Sequence, residues 1–172
     1  PCTMLERAAG YASVDCRQPL RLVQPINPGS PVIVVFLVNT LIVVTVVVIH
    51  YEFLYRLTLL LPRIQVPHRF RIVLGVGGAL LAHALEVWIF AIAYYLMHRA
   101  DGWGYLEGNF DGSLMDAVYF SFTIFTTLGF GDIQPHGDLR FLTGIESLTG
   151  LVLITWSASF IFVEMQRFWD AR

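Results

Sequence analysis

The amino-acid sequence predicts an all-α integral membrane protein with three transmembrane helices and a shorter helix that enters the membrane and returns. Composition is the first reason: of 172 residues, 56% are hydrophobic and only 14% are charged, as is typical of membrane proteins. The second reason is three apolar stretches close to or above the length of about 20 helical residues that crosses a bilayer. The third is a glycine-containing segment, TTLGFGD at residues 126–132, lodged between two apolar segments.

The three apolar stretches are residues 32–49, 72–97 and 141–163. The first is rich in valine, which favours strands in water. In lipid, an isolated strand leaves its backbone N–H and C=O groups without hydrogen bonds, so we expect a helix there too. Asn39, Thr40 and Thr45 interrupt this stretch, and a re-entrant or surface-lying segment is the alternative to a complete crossing.

Arginine positions near the helix ends predict the orientation in the membrane. The connection between the first and second stretches contains Arg56, Arg63, Arg69 and Arg71, whereas the connection between the second and third is mostly acidic. We therefore expect a cytoplasmic first connection, a cytoplasmic C-terminus and an external, extended N-terminal tail at residues 1–30, in a protein of the plasma membrane. The four arginines either contact anionic lipid or only set this topology.

Charge and cysteine patterns argue against several other partners and sites. The formal net charge is −2 and no basic run occurs, so nucleic acid is not predicted as a partner. Cys2 and Cys16 are too few for a thiolate metal centre, and they form either a disulfide or two free thiols. No stretch carries arginine at every third position, so a charged voltage-sensing helix is not predicted.

The region before TTLGFGD predicts a short helix. Ser113 and Asp116 have the spacing of a capping box, with aspartate in place of Glu or Gln, and the apolar, aromatic run AVYFSFTIFTT follows. This helix is too short to span a bilayer. It must enter the membrane and return, and the non-helical backbone that follows is tolerated there only where protein buries it or water reaches it.

The two glycines of TTLGFGD suit a cation site built from backbone. Glycine adopts positive φ without steric cost, so Gly129 and Gly131, alternating with Leu128 and Phe130, allow successive carbonyl groups to point the same way. Four such loops would replace the hydration shell of a cation with rings of oxygen atoms. The short helix would direct its partially negative C-terminal end toward the same point.

The residues YFSFTIFTTLGFGDIQP resemble the pore helix and selectivity filter of the potassium channel superfamily, whose filter signature is TVGYGD. The resemblance extends to a small bacterial-type pore unit of outer helix, pore loop and inner helix. It implies a K⁺-selective channel that conducts passively, is not an enzyme, needs no cofactor, and assembles as a homotetramer because each chain supplies one pore loop. The alternative interpretation of the segment itself is a glycine turn between two helices of an unrelated membrane protein.

The resemblance also implies roles for individual residues. K⁺ would bind at Thr127, Leu128, Gly129 and Phe130, with Gly131 completing the filter. The supporting residues would be Thr123, Thr126, Asp132, Tyr119 and Phe120. The implied domains are the tail (1–30), an extra transmembrane helix with an amphipathic cytoplasmic linker (31–71), and a pore domain (72–172) with outer helix 72–98, pore helix 114–126, filter 127–132 and inner helix 140–164.

Two departures from the signature leave the function open. Leu128 replaces valine, and Phe130 lacks the hydroxyl with which the usual tyrosine hydrogen-bonds its surroundings, so the filter has a weaker brace. The alternatives are a weakly selective cation channel and a non-conducting membrane sensor or assembly subunit with the same fold.

Three ionisable residues within the apolar stretches form a predicted polar network. His83 and Glu86 lie three residues apart on one helix face, and Glu146 lies on the inner helix. They are interpreted as a structural link between outer and inner helices or as a protonation switch. A metal site has the weakest support, because the spacing matches no known ligand pattern.

Small residues in two of the stretches predict packing features. Gly75, Gly78, Ala79 and Ala82 give the outer helix a face for close packing. Gly144 and Gly150 on the inner helix would serve either as hinges or as close contacts.

Overall fold

The computed structural model of the protein describes residues 31–63 and 68–169. The predicted tail 1–30, with Cys2 and Cys16, and the side chain of Arg69 lie outside the described residues. The remainder forms four helices, a short 3₁₀ turn and a two-stranded sheet. In chain order the elements are α1 (Val32–Leu60), the 3₁₀ turn (Leu61–Arg63), α2 (His68–Arg99), β1 (Gly104–Gly108), α3 (Leu114–Phe125), β2 (Ile133–Gly137) and α4 (Leu139–Trp169).

Three of these helices are long and apolar enough to cross a membrane. Their apolar ranges are Val32–Arg63, Phe70–Arg99 and Leu139–Gln166, whereas α3 is a shorter apolar helix. The predicted mostly helical membrane fold is therefore confirmed. The valine-rich stretch is helical, and the hydroxyls of Thr40 and Thr45 donate to backbone carbonyls one turn earlier at 2.8 Å each, so neither hydroxyl lacks a partner in an apolar environment.

The first helix is longer than the apolar stretch that predicts it. It continues from residue 49 to Leu60 without a break, because the first proline after it is Pro62. Residues 50–60, interpreted from sequence as part of an amphipathic linker, thus belong to the same helix. The i,i+4 pair on this extension is present: Arg56 Nε lies 2.8 Å from Glu52 Oε1 on an exposed face.

A two-stranded antiparallel sheet lies between the C-terminal end of α2 and the N-terminal end of α4. The sequence does not predict this sheet. β1 pairs with β2 from Gly104 opposite Gly137 to Gly108 opposite Ile133. Gly104 and Gly108 have φ of +113° and +109°. A Cβ atom at Gly104 would collide with the backbone carbonyl oxygen of His136, and one at Gly108 would collide with that of Asp132. The glycines therefore allow this close pairing.

The core lies where α2, α3 and α4 meet beneath this sheet. Phe90, Tyr94, Phe120 and Phe125 are fully or almost fully buried there, and the rings of Tyr94 and Phe120 meet edge to face at 4.9 Å. This arrangement holds α3 between the two longer helices.

The small-residue face of α2 packs against the chain's own first helix. A Cβ atom at Gly78 would lie 2.9 Å from a methyl carbon of Leu57, and one at Gly75 would lie 3.8 Å from Leu61. Ala79 and Ala82 are buried as well. The extra helix α1 is therefore closely fitted to the domain that follows it.

Candidate functional site

The short helix α3 begins at a cap that the sequence predicts only in part. Ser113 Oγ accepts a hydrogen bond from the Asp116 N–H at 3.1 Å, as in a capping box. The Asp116 carboxylate accepts from the Asp111 N–H at 2.8 Å rather than from Ser113, whose N–H donates to Asp111 Oδ1 at 2.6 Å. Hydrogen bonds from Ser113 hold the pKa of the Asp111 carboxyl below its ordinary value.

The C-terminal turn of α3 holds the TTLGFGD segment by its backbone N–H groups. The Thr127 N–H donates to the Ile124 carbonyl at 2.9 Å, and the N–H groups of Leu128 and Gly129 both donate to the Thr123 carbonyl, at 2.9 and 3.0 Å. Three successive donors thus face the helix end. A trans peptide group holds its C=O antiparallel to its N–H, so the carbonyls of residues 126, 127 and 128 point away from α3.

The backbone of the segment alternates in hand. Thr127, Gly129 and Gly131 have φ of 59°, 51° and 78°, whereas Leu128 and Phe130, between them, are not in the left-handed region. This alternation turns successive peptide groups the same way. The positive φ at the glycines follows from sequence. The positive φ at Thr127 does not, because a β-branched residue rarely adopts it.

Side chains around the segment contact it on one side. Tyr119 Oη donates to Asp132 Oδ2 at 2.9 Å, and its ring lies parallel to that of Phe130 with centroids 6.5 Å apart. Phe120 is buried in the core, where its ring meets that of Tyr94 edge to face, and its support of the segment stays a prediction. The hydroxyls of Thr123 and Thr126 donate to carbonyls within α3, those of Phe120 and Phe122.

Glu86 lies at the centre of a buried cluster that joins α1, α2 and α4. Its two carboxylate oxygens lie 2.7 Å from His50 Nδ1 and 3.0 Å from His83 Nδ1. His50 Nε2 is 3.4 Å from Ser157 Oγ. His83 and Glu86 share a face as predicted, but the partners His50 and Ser157 were missed. Helical spacing relates residues within one helix only, so no pattern in the sequence pairs residue 50 with residue 86.

Glu146 belongs to a second cluster, and the prediction of one network with His83 and Glu86 is wrong. Its carboxyl oxygens lie 2.5 Å from Tyr94 Oη and 2.5 Å from Ser121 Oγ. The Ser121 hydroxyl also lies 2.9 Å from the Val87 carbonyl oxygen, yet it has one hydrogen to donate. Both contacts are hydrogen bonds when Glu146 is a neutral acid that donates to Ser121 while Ser121 donates to Val87. This cluster fastens α4 to α2 and α3.

A family profile described as an ion channel matches residues 82–167, from the middle of α2 through α3 and TTLGFGD to α4. The chain belongs to this ion channel family. The predicted membership of the potassium channel superfamily is thereby confirmed. The chain also resembles the uncharacterized membrane protein YdjJ of Bacillus subtilis (strain 168), with 34% identity over 90 residues, or 49% of this chain. The chain spans about a quarter of that relative, because the match covers 26% of its length. No solved structure matches the chain.

The inner helix α4 passes directly against the end of α3. A Cβ atom at Gly150 would lie 3.0 Å from both the carbonyl carbon and the ring Cγ of Phe125, and closer still to the carbonyl oxygen. Gly150 is therefore a packing glycine, one of the two roles that the sequence leaves open. A Cβ atom at Gly144 would meet nothing within 4 Å.

Proposed function

We propose that the protein is a potassium-selective channel in which the backbone carbonyls of TTLGFGD replace the hydration shell of K⁺. One observation carries this proposal: the N–H groups of Thr127, Leu128 and Gly129 are all engaged by the end of α3, so the adjoining carbonyls face the opposite side together. Rings of such carbonyls bind a dehydrated cation. Among the described residues, no donor occupies these carbonyl oxygens.

The backbone conformation of the segment supports the same function. A β-branched residue at φ of 59° is strained, and strain of this kind concentrates at functional sites. The positive φ at Thr127 extends the alternation between left-handed and other backbone conformations to the first residue of the predicted filter. The hydroxyl and the carbonyl of Thr127 would both contact the ion there. The carbonyl end of α3 adds partial negative charge at the same point.

Four copies of the chain would complete the site. Each chain supplies the carbonyl oxygens on one side of an ion, so four chains are needed to surround the ion with rings of oxygen atoms. In the single chain the side chains of Leu128 and Phe130 are 60% and 63% exposed, which supports their contact with neighbouring copies in a homotetramer. We place the channel in the plasma membrane with a cytoplasmic C-terminus, and Arg56, Arg63 and Arg71 near anionic lipid.

Ion flux tests the proposal. Purified protein reconstituted in liposomes with opposing K⁺ and Na⁺ gradients should carry K⁺ much faster than Na⁺. Gly129→Ala and Gly131→Ala should abolish this flux and leave the size on gel filtration unchanged, because a Cβ atom at positive φ costs about 1 kcal/mol or more in each copy. Selective flux through either variant would contradict the assignment of the filter.

A weakly selective cation channel is the second candidate, and the chemistry of Phe130 favours it. Phe130 has no hydroxyl, and among the described residues this side of the segment is braced by its ring contact with Tyr119 and by the Tyr119–Asp132 hydrogen bond. Equal K⁺ and Na⁺ flux would support this candidate. Absence of flux for both ions would support a non-conducting subunit.

A further inference from the structure

We infer that His50, His83 and Glu86 form a binding site for a divalent first-row transition metal ion of the Zn²⁺ type, which fastens the extra helix α1 to α2. One potential ligand atom from each of the three residues lies within 4.8 Å of the others. The third ligand, His50, comes from a different helix and 36 positions away. The site therefore supplies three ligand atoms, one more than spacing within α2 alone provides, and would leave one of four tetrahedral positions to water.

The ligand chemistry selects the class of ion. Two imidazoles and one carboxylate suit Zn²⁺, Cu²⁺, Ni²⁺ and Fe²⁺, whereas Mg²⁺ and Ca²⁺ prefer sites made only of oxygen. The two imidazole Nδ1 atoms already converge on the Glu86 carboxylate, at 2.7 and 3.0 Å. Ligand atoms around a tetrahedral Zn²⁺ are separated by about 3.3 Å, given bonds of about 2.0–2.1 Å. The two contacts with Glu86 would thus lengthen by roughly 0.3–0.6 Å, and the three ligand atoms, which all lie within 4.8 Å of one another, would move to separations of about 3.3 Å.

The surroundings are those of a supported metal site. With Nδ1 as the ligand atom, the opposite nitrogen of His50 would donate to Ser157 Oγ, 3.4 Å away on α4, as the free nitrogens of metal-bound histidines usually do. The His50 and His83 rings stack at 5.3 Å, and Trp156 lies against His50 at 5.4 Å. These contacts restrict the orientation of both imidazoles.

Charge also favours a cation. The side chains of His50 and Glu86 are fully buried, and that of His83 is 16% exposed. With both imidazoles neutral, the Glu86 carboxylate would leave one negative charge in the membrane interior, which costs a few kcal/mol, and a bound cation would offset that charge.

Zinc binding by the full-length protein in detergent tests the inference. The protein should lack a polyhistidine tag and carry serine at Cys2 and Cys16, so that neither a tag nor a thiol group competes for the metal. Calorimetric titration with Zn²⁺ should give one ion per chain, and Co²⁺ should give the visible absorption of a tetrahedral site. Glu86→Gln should weaken Zn²⁺ binding about tenfold or more, because a neutral amide replaces the anionic ligand. His50→Ala should abolish binding.

A matched control is the exposed pair His136 and Glu107, whose ring nitrogen and carboxylate oxygen are 3.1 Å apart. Glu107→Gln should leave Zn²⁺ binding unchanged. Unchanged gel-filtration volumes show that each variant is folded, and Zn²⁺ should raise the heat resistance of the parent but not of Glu86→Gln. Absence of stoichiometric binding by the parent, or equal binding by the parent and Glu86→Gln, would overturn the inference. The three residues would then link α1 to α2 by hydrogen bonds alone. Neither result would affect the K⁺ flux proposal.

Discussion

The contact between Gly150 and the end of α3 makes Gly150→Ala a sharp test of how the inner helix positions the TTLGFGD segment. The added Cβ atom would lie 3.0 Å from the carbonyl carbon and ring Cγ of Phe125, which is roughly 0.5–1 Å short of an ordinary carbon–carbon contact. Phe125 is 1% exposed, and the Phe125 atoms that the added Cβ atom would overlap include its backbone carbonyl group. A side-chain rotation cannot relieve the overlap, so α3 and α4 must separate.

The expected cost follows from two opposing effects. Overpacking a closed contact costs about 1–3 kcal/mol, whereas replacing glycine by alanine inside a helix otherwise stabilises by about 0.5–1 kcal/mol. Gly150→Ala should therefore destabilise the protein by up to about 2.5 kcal/mol. Gly144→Ala, on the same helix, adds a Cβ atom with nothing within 4 Å, so it should be neutral or slightly stabilising.

Heating followed by gel filtration in detergent measures this difference. The temperature at which half the protein remains monodisperse should fall for Gly150→Ala and remain unchanged or rise for Gly144→Ala. K⁺ flux should fall with Gly150→Ala even below that temperature, because the segment is held by the carbonyls of Thr123 and Ile124 at the displaced end of α3. Equal behaviour of the two variants, or a Gly150→Ala protein as stable as the parent, would refute the packing argument.

Three further outcomes are expected. Glu146→Gln should match the parent in heat resistance, because the amide reproduces the donor and acceptor of a neutral acid. Glu146→Ala should lower the free energy of unfolding by about 1–3 kcal/mol, because the Tyr94 hydroxyl loses its hydrogen bond to Glu146. A Gln variant as unstable as the Ala variant would contradict the assignment of a proton to Glu146. Tyr119→Phe removes the hydrogen bond to Asp132 and should shorten the lifetime of K⁺ current in planar bilayers, with no change in lifetime counting against that brace. In a cysteine-free background, Arg63→Cys should react with an impermeant thiol reagent only after permeabilisation, and reaction in intact cells would reverse the proposed orientation.

Local features of the chain could be predicted because their causes are local. The start of α3 depends on Ser113, which caps residues three positions away. The positive φ of Gly129 and Gly131 depends on glycine itself. The helical state of the valine-rich stretch follows from the absence of water in the bilayer, which overrides β propensity.

Features that depend on contacts between distant residues could not be predicted. Glu146 pairs with Tyr94, 52 positions away, and helical periodicity carries no information about which helix a polar face meets. The sheet was missed because β1 is glycine-rich and β2 contains Pro135, so neither strand has the β-branched alternation that signals a strand. The edge-to-face contact of Phe120 with Tyr94, 26 positions away, likewise has no signal in the sequence.

The reversal potential of the reconstituted protein tests the central claim most directly. In a planar bilayer with equal concentrations of K⁺ on one side and Na⁺ on the other, a filter made of carbonyl rings passes K⁺ in preference to Na⁺. The account predicts a reversal potential displaced far from zero, with the K⁺ side negative, and loss of this current in Gly131→Ala. A reversal potential at zero in the parent, with a steady current, would contradict the claim that the backbone of TTLGFGD selects K⁺.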